Sequence, residues 1–214
     1  MNSEIKDVLL NGSTIDIALR DGKIASISPA VGTAQQVLLP LPVDPHVHLD
    51  KTFTANRCKP EKPGLFGAIE AMAKDALTWN EIDLRERIGQ ALAEAYRNGM
   101  SAMRSHVDWV QEEAPLAWSV LGEIAQDWRG KVDIQRSSLT PLNMLGDVEF
   151  GAAIASRVYR DREVMGCFVY RNENVDALLE QVFIYASRYE LMLDFHVDEG
   201  LEPEAAAFDR IVEL

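Results

Sequence analysis

The 214-residue chain lacks a long hydrophobic run and has few cysteines. No stretch of about 18 uninterrupted apolar residues occurs, so the sequence predicts no membrane-spanning helix. Residues 1–10 are polar and contain no apolar signal segment. With only two cysteines, Cys58 and Cys167, a disulfide framework is not expected, and the predicted location is a reducing cytoplasm.

Basic side chains are also scarce, since 21 lysines and arginines face 34 acidic residues and the net charge is −13. Phosphate binding depends on clustered lysine and arginine, so neither nucleic acid nor an anionic membrane is a predicted partner. A small nitrogen base stays compatible with this charge, because a small site is not governed by the charge of the whole molecule. The length allows one good-sized core or two small domains.

The first 40 residues alternate short apolar runs with turn signals. Asn11-Gly12 and Asp21-Gly22 are dipeptides that favour two-residue β-hairpin turns. The strands they would connect are too short to bury much apolar surface alone. We therefore predict that residues 1–40 form a β-rich segment of a composite β-sandwich.

From residue 41 to residue 214, strand and helix patterns alternate, which requires a parallel sheet with helical crossovers. After a first strand that carries His46, the predicted strands are 102–107, 132–139, 164–169 and 191–197. The predicted helices are 65–76, 80–99, 116–128, 148–159, 175–189 and 203–214. An eight-stranded barrel needs ~250 residues. The predicted fold class is therefore α/β, an incomplete (β/α)8 TIM-like barrel of about five β/α units that follows a small β-sandwich segment.

The four histidines fall at or near the carboxyl ends of predicted barrel strands, where α/β barrels build their active sites. His46 and His48 are two residues apart on the first strand and so face the same side. Neutral imidazole is the commonest metal ligand. With His196 on the fifth strand, they predict a site for one divalent ion that leaves a position for water. His106 on the second strand is either a further site residue or a hydrogen-bonded structural histidine.

Charged residues accompany these histidines. Glu199, three residues after His196, is a candidate for moving a proton to and from water at the metal. The alternative for Glu199 is a carboxylate in the first turn of a helix. Asp108 is either a site residue or a loop anchor, and Lys51 either lines the mouth of the site or is a solvated surface lysine.

Together these motifs resemble the cytosine deaminase-like branch of the amidohydrolase superfamily. The residues that carry the resemblance are 45–50 (PHVHLD), 64–66 (GLF), 104–108 (RSHVD), 132–135 (VDIQ) and 196–199 (HVDE). The resemblance covers the chain from Asp7 onwards. It implies zinc or iron as the metal, with His46, His48 and His196 as ligands. It also implies Glu199 as the proton carrier, Gln135 as a hydrogen-bonding partner of the base edge, and Leu65 as a main-chain contact to the substrate.

The implied reaction is hydrolytic deamination of a nitrogen heterocycle, cytosine or a related pyrimidine or triazine base. Two alternatives stay open: an amidohydrolase that releases an alkylamine or opens a cyclic amide, and a truncated paralogue without catalysis. The family also uses a histidine after strand six and an aspartate after strand eight, beyond Leu214. We therefore expect a fragment of a longer enzyme that is inactive or weakly active alone. The expected partner is a small heterocyclic substrate, and a homo-oligomer is compatible with this branch.

Overall fold

The computed structural model describes residues 2–200 and 206–214, and the chain divides into two compact units, Met1–Leu41 and Pro42–Leu214. In the first unit, both predicted hairpin turns are present. Asn11 and Gly12 have φ angles of 49° and 83°, and Asp21 and Gly22 have 52° and 74°. A two-residue turn with positive φ at both positions matches the right-handed twist of the strands that it connects.

These turns generate one mixed sheet of four strands, in the order β3-β2-β1-β4. Its strands are β1 (Asn2–Leu10), β2 (Ser13–Arg20), β3 (Lys23–Pro29) and β4 (Gln36–Val37). The first three are antiparallel, and β4 pairs parallel to β1. Val8, Ile15 and Ile17 are buried on one face. The sheet is one layer, and the second layer of the composite sandwich stays a prediction.

The second unit has the alternating strands and helices that the sequence predicts. Five parallel strands pair in chain order: β5 (Val43–Val47), β6 (Ala102–Asp108), β7 (Asp133–Pro141), β8 (Met165–Val169) and β9 (Leu193–Val197). The helices are α1 (Leu65–Ala76), α2 (Glu81–Arg97), α3 (Leu116–Asp127), α4 (Leu142–Leu145), α5 (Val148–Asp161), α6 (Val175–Tyr189) and α7 (Phe208–Glu213). Among the described residues, none of these helices has both the length and the apolar character needed to cross a bilayer.

The five-stranded sheet is strongly curled. Neighbouring strands lie about 4.8 Å apart, so β5 and β9 would be about 19 Å apart in a flat sheet. Yet the rings of His46 on β5 and His196 on β9 are separated by only 4.4 Å between centroids. The side chains of the first and last strands therefore meet on a concave face. This curled half-barrel confirms the predicted incomplete TIM-like barrel.

Helix α2 shows how the sequence pattern determines the packing. Asparagine favours the N-cap position of a helix, and the side chain of Asn80 accepts a hydrogen bond from the backbone N–H of Asp83 there. Leu84, Ile88 and Leu92 recur at a spacing of four residues and are fully buried. They join the core that lies between the sheet and its helices.

Most predicted boundaries agree with the structure to within two residues, and four details differ. Strand β5 ends at Val47, so His48 lies just beyond it, before a 3-10 turn at Leu49–Lys51. Helix α4 is missing from the prediction because four residues are too few to show a helical period. The apolar run at 37–39 also predicts a short strand, which lies at Gln36–Val37 in the structure. The helix predicted to begin at 203 begins at Phe208, and residues 201–205 are outside the described part.

Two helical glycines provide a matched test of this packing. A Cβ atom at Gly151 in α5 would lie 2.1 Å from the carbonyl oxygen of Leu145, whereas a Cβ atom at Gly89 in α2 meets nothing within 4 Å. We expect Gly151→Ala to lower the free energy of unfolding by about 1–3 kcal/mol. Gly89→Ala should raise it by about 0.5–1 kcal/mol, since alanine favours the helix. Urea unfolding measures both, and equal effects would contradict the packing around α5.

Candidate metal centre

The structure brings all four histidines to one place on the concave face. Their ring centroids lie between 4.4 and 5.7 Å apart. His106 and His196 are buried, His48 is half-buried and His46 is exposed. The curvature of the sheet causes this convergence, because the histidines come from its first, second and fifth strands.

Two overlapping groups of side chains have the spacing of a metal site. His46, His48 and His196 form one group, and His106, Asp194 and His196 form the other. In each group, one candidate ligand atom per residue lies within 4.8 Å of the others. Since His196 belongs to both groups, the hydrogen bonds of the remaining histidines distinguish them.

The hydrogen-bond partners favour the first group. Nδ1 of His48 lies 3.1 Å from the carbonyl oxygen of His106. A carbonyl only accepts, so this nitrogen carries the proton and Nε2 keeps a free lone pair. His106 is placed differently, because its Nδ1 lies 3.4 Å from the carbonyl oxygen of Val47 and its Nε2 lies 3.2 Å from Oδ1 of Asp194. Both ring nitrogens of His106 thus lie near acceptor atoms, although its buried Nε2 completes no hydrogen bond within the described residues. A neighbouring carboxylate suits a donor better than a metal ligand.

The electrostatics keep two of the histidines neutral. Burial, helped by the charge of Lys51, lowers the pKa of His48 to about 3. Burial and the neighbouring His106 lower the pKa of His196 to about 4. Both imidazoles are therefore unprotonated at pH 7, as metal binding requires.

His196 provides the test of whether a metal fits here. Both of its ring nitrogens are buried and have no hydrogen-bond partner among the described residues. An unsatisfied buried polar atom is destabilising, and a divalent ion at one nitrogen removes part of that cost. The donor set of three imidazoles is also one that zinc and iron accept. The residues present therefore fit the implied metal.

A second polar layer lies beneath the histidines. Arg104 donates from Nε to Oε1 of Gln135 at 2.7 Å and from Nη1 to Oδ2 of Asp194 at 2.6 Å. Oδ1 of Asp194 faces the ring of His106 and lies 4.0 Å from Nδ1 of His196. Burial alone would raise the pKa of Asp194, but the hydrogen bonds of His106 and Arg104 outweigh it and lower the pKa to about 2. Asp194 is therefore an ionised carboxylate that lies beside two of the four histidines, 3.2 Å from Nε2 of His106 and 4.0 Å from Nδ1 of His196.

This layer also contains Gln135. It is the third residue of β7 and pairs in register with Arg104, whereas Ser137 pairs with His106. Gln135 thus lies one layer below the histidines, towards the amino end of its strand, and its oxygen is bound by a protein side chain. The contact between Gln135 and a base stays a prediction.

The sequence reasoning did not select Arg104 and Asp194, although a signal for both was present. Each stands two residues before a histidine that was selected, His106 and His196 respectively. Residues two apart on a strand point to the same face. The same periodicity that relates His46 to His48 therefore places both charges on the concave face.

The other predicted site residues lie around the rim. Nζ of Lys51 forms an ion pair with Oδ1 of Asp108 at 2.8 Å, which joins the turn after His48 to the end of β6. The Lys51 side chain is only 21% exposed, so it is not a freely solvated lysine. Leu65 is the first residue of α1 and is half-buried.

Glu199 is exposed and lies two residues beyond the end of β9. The preceding residue, Asp198, has a φ angle of 57°. Its carboxylate accepts hydrogen bonds from the backbone N–H groups of Ala207 at 2.6 Å and Phe208 at 3.1 Å. Asp198 therefore ties the end of β9 to the beginning of α7, directly beside Glu199.

Comparison with known proteins shows where this architecture recurs. No protein-family model matches the chain. A pterin deaminase from Rhizobium rhizogenes is 30% identical over 207 residues, which cover 92% of this chain and 47% of that protein. The structure of 5-methylcytosine deaminase from Klebsiella pneumoniae, liganded with 5-fluorocytosine, superimposes with a TM-score of 0.81 at 22% identity, covering 100% of this chain and 55% of that one.

The chain has an amidohydrolase fold. N-isopropylammelide isopropylaminohydrolase from Burkholderia multivorans has a TM-score of 0.71 at 21% identity and covers 98% of this chain and 56% of that one. A mutant atrazine chlorohydrolase from Arthrobacter aurescens, complexed with zinc and atraton, has a TM-score of 0.62 at 16% identity, with coverages of 94% and 53%. The chain thus spans about half the length of the proteins that it matches. The predicted resemblance is confirmed by these neighbours.

Asp194 should affect metal binding without being a ligand. We expect Asp194→Asn to weaken zinc affinity about 10- to 100-fold, because the neutral amide removes a negative charge that lies 4.0 Å from Nδ1 of His196 and would favour a bound cation. Competition with a chromophoric chelator measures the affinity. Asp176→Asn is the matched control, since Asp176 forms an exposed ion pair with Arg210. Unchanged zinc affinity in Asp194→Asn would contradict this electrostatic role of Asp194.

Proposed function

We propose that this chain carries the metal site of a hydrolase that deaminates a nitrogen heterocycle, cytosine or a related pyrimidine, triazine or pterin base. The observation that carries the proposal is the convergence of His46, His48 and His196 at the carboxyl ends of the first and fifth strands, with candidate ligand atoms within 4.8 Å. The active sites of α/β barrels lie at this end. The similarity to deaminases of pterin and 5-methylcytosine supports the choice of substrate class.

The proposed cofactor is one divalent ion, zinc or iron, held by His46, His48 and His196. When bound, such an ion lowers the pKa of water towards neutrality and so provides a hydrolytic nucleophile. Zinc is favoured by its presence in the similar atrazine chlorohydrolase structure. The protein itself keeps His48 and His196 neutral, chiefly through burial that lowers the pKa of both, and the carbonyl of His106 fixes the orientation of His48.

The proposed proton carrier is Glu199. A carboxylate beside the nucleophilic water can carry one proton of that water to the ring nitrogen and the second proton to the leaving amine, which departs as the carbonyl forms. Asp198 supports this role, since its bonds to Ala207 and Phe208 hold the backbone next to Glu199. His106 is proposed to remain a donor to Asp194 and to stay outside the metal coordination. We also propose a cytoplasmic location and a small heterocycle as the partner, with a homo-oligomer compatible with the fold.

A second candidate reaction is the release of an alkylamine from a triazine ring. The specific observation is the structural similarity to N-isopropylammelide isopropylaminohydrolase. The same three histidines and Glu199 would serve both reactions, because only the leaving amine differs. The product distinguishes them: ammonia supports deamination, and an alkylamine supports the second reaction.

The two overlapping ligand groups predict different metal contents after mutation. Elemental analysis of the purified chain should give about one divalent ion per chain. His48→Ala removes a member of the first group only, and we expect it to lose the ion. His106→Asn removes a member of the second group only, and we expect it to retain the ion. The reverse result would assign the metal to His106, Asp194 and His196.

Glu199→Gln tests the proton transfer separately from metal binding. In a form of the protein that turns over a base, we expect ammonia release to fall about 100- to 10,000-fold, because an amide cannot transfer the proton. Metal content should not change, since Glu199 is not a proposed ligand. Glu190→Gln, at an exposed position after α6, is the matched control. Full activity of the Glu199 variant would exclude this residue as the proton carrier.

A further inference from the structure

Beside the histidines lies a group of three aromatic side chains, Phe66, Phe168 and Tyr170, here named the aromatic wall. Phe168 on β8 pairs in register with His196 on β9. Paired residues of parallel strands point to the same face, because side chains alternate with the same period on both strands. Phe168 is therefore on the concave face, one strand away from His196.

The burial of the neighbouring residues agrees with this orientation. Cys167 and Val169 are buried in the core against the helices. Phe168 lies between them and is only half-buried, as is Tyr170. An alternation of fully and partly buried residues is expected where a strand has one face in the core and one face in an open cleft.

The aromatic wall continues from the cleft to the surface. The rings of Phe168 and Tyr170 are parallel, with an interplanar angle of 4° and centroids 6.1 Å apart. Phe66 lies in the first turn of α1 and contacts Tyr170 edge to face, with centroids 4.9 Å apart. The Phe66 side chain stays 53% exposed. Aromatic surface that stays open beside polar side chains is typical of a ligand site.

We propose that the aromatic wall is a stacking surface for the second ring of a fused, bicyclic nitrogen heterocycle. This inference rests on the proposed function, since it requires the reacting ring to lie at His46, His48 and His196. Neighbouring strands are about 4.8 Å apart, so the wall begins to one side of the metal site. A ligand with a single ring at the histidines does not reach across the distance between the metal site and the aromatic wall. A fused second ring extends towards Phe168 and Tyr170.

The chemistry of the wall also determines the ligand class. It offers flat hydrocarbon faces, so it selects for planarity and ring area rather than for charge. Stacking of a base on an aromatic side chain changes affinity about 5- to 150-fold. The wall is therefore a determinant of preference between bicyclic and monocyclic bases that share the same reacting amidine.

The test compares two ligands on the metal-loaded protein. Isothermal titration calorimetry gives the dissociation constants of pterin, which is bicyclic, and cytosine, which is monocyclic. Tyr170→Leu should weaken pterin binding about 5- to 150-fold and change cytosine binding less than about twofold. Phe168→Leu should show the same difference between the ligands. Tyr170→Phe keeps the ring and should bind both ligands as the unaltered protein does.

An aromatic ring outside the aromatic wall serves as a further control. Tyr159→Leu removes an exposed aromatic ring on α5, away from the wall, and should change neither affinity. If Tyr170→Leu does not fold by circular dichroism, Phe66→Leu at the exposed end of the wall replaces it and should show the same difference. Equal weakening of both ligands, or unchanged pterin binding, would overturn the inference.

The inference and the proposed function fail in different ways. If the unaltered protein binds cytosine but not pterin, the inference is wrong and the proposed function stands. If the metal-loaded protein binds neither base, the proposed function is wrong and the inference falls with it. Pterin binding that depends on Tyr170 and Phe168, with cytosine binding that does not, supports both.

Discussion

The ion pair between Arg104 and Asp194 connects two distant strands across the concave face of the curled sheet. The histidine site depends on the same curvature of the sheet. It joins the second strand of the barrel to the fifth, and Gln135 extends it to the third. Partly buried charges are costly unless they are paired and hydrogen-bonded, so this pair favours the one curvature in which both partners meet. Because Asp194 also faces His106 and His196, the same interaction determines the orientation of the residues above it.

The first strand is held by a different interaction, from the outer side of the barrel. Arg87 of α2 is buried, pairs with Asp83, and donates to the carbonyl oxygens of Asp50 and Thr52 in the turn that follows His48. The helix thereby fixes the backbone that presents the first two imidazoles. Ligands on β5 and ligands on β9 are thus supported by separate networks, and only the closing of the sheet brings them together. This separation explains why residues so distant in the sequence can form one site.

Local patterns predict those parts of the molecule that local forces determine. The four-residue spacing of Leu84 and Ile88 identifies a buried helix face. The histidines at the ends of predicted strands identify the candidate ligands. Pairing across the concave face is decided by curvature, which no local pattern encodes. For that reason the hydrogen bonds of Arg104 to Gln135 and Asp194 become evident only in three dimensions. Helix α4 shows the other limit, since a four-residue helix has no period to detect.

The arrangement of the concave face separates the metal site from the surface that would select its ligand. The proposed ligands lie on β5, directly after it, and on β9. Phe168 lies on β8, Tyr170 directly follows β8, and Phe66 lies on α1. A side chain on β8 can change without moving a ligand, because the hydrogen-bond partner of His48 is His106 on β6 and the carboxylate beside His196 is Asp194 on β9. Substrate preference can therefore vary while the hydrolytic chemistry is kept. Parallel barrels allow this generally, since each strand contributes its own residues to a shared site at the carboxyl end. In this chain, the strand next to His196 is the place where such variation would act most directly on the ligand.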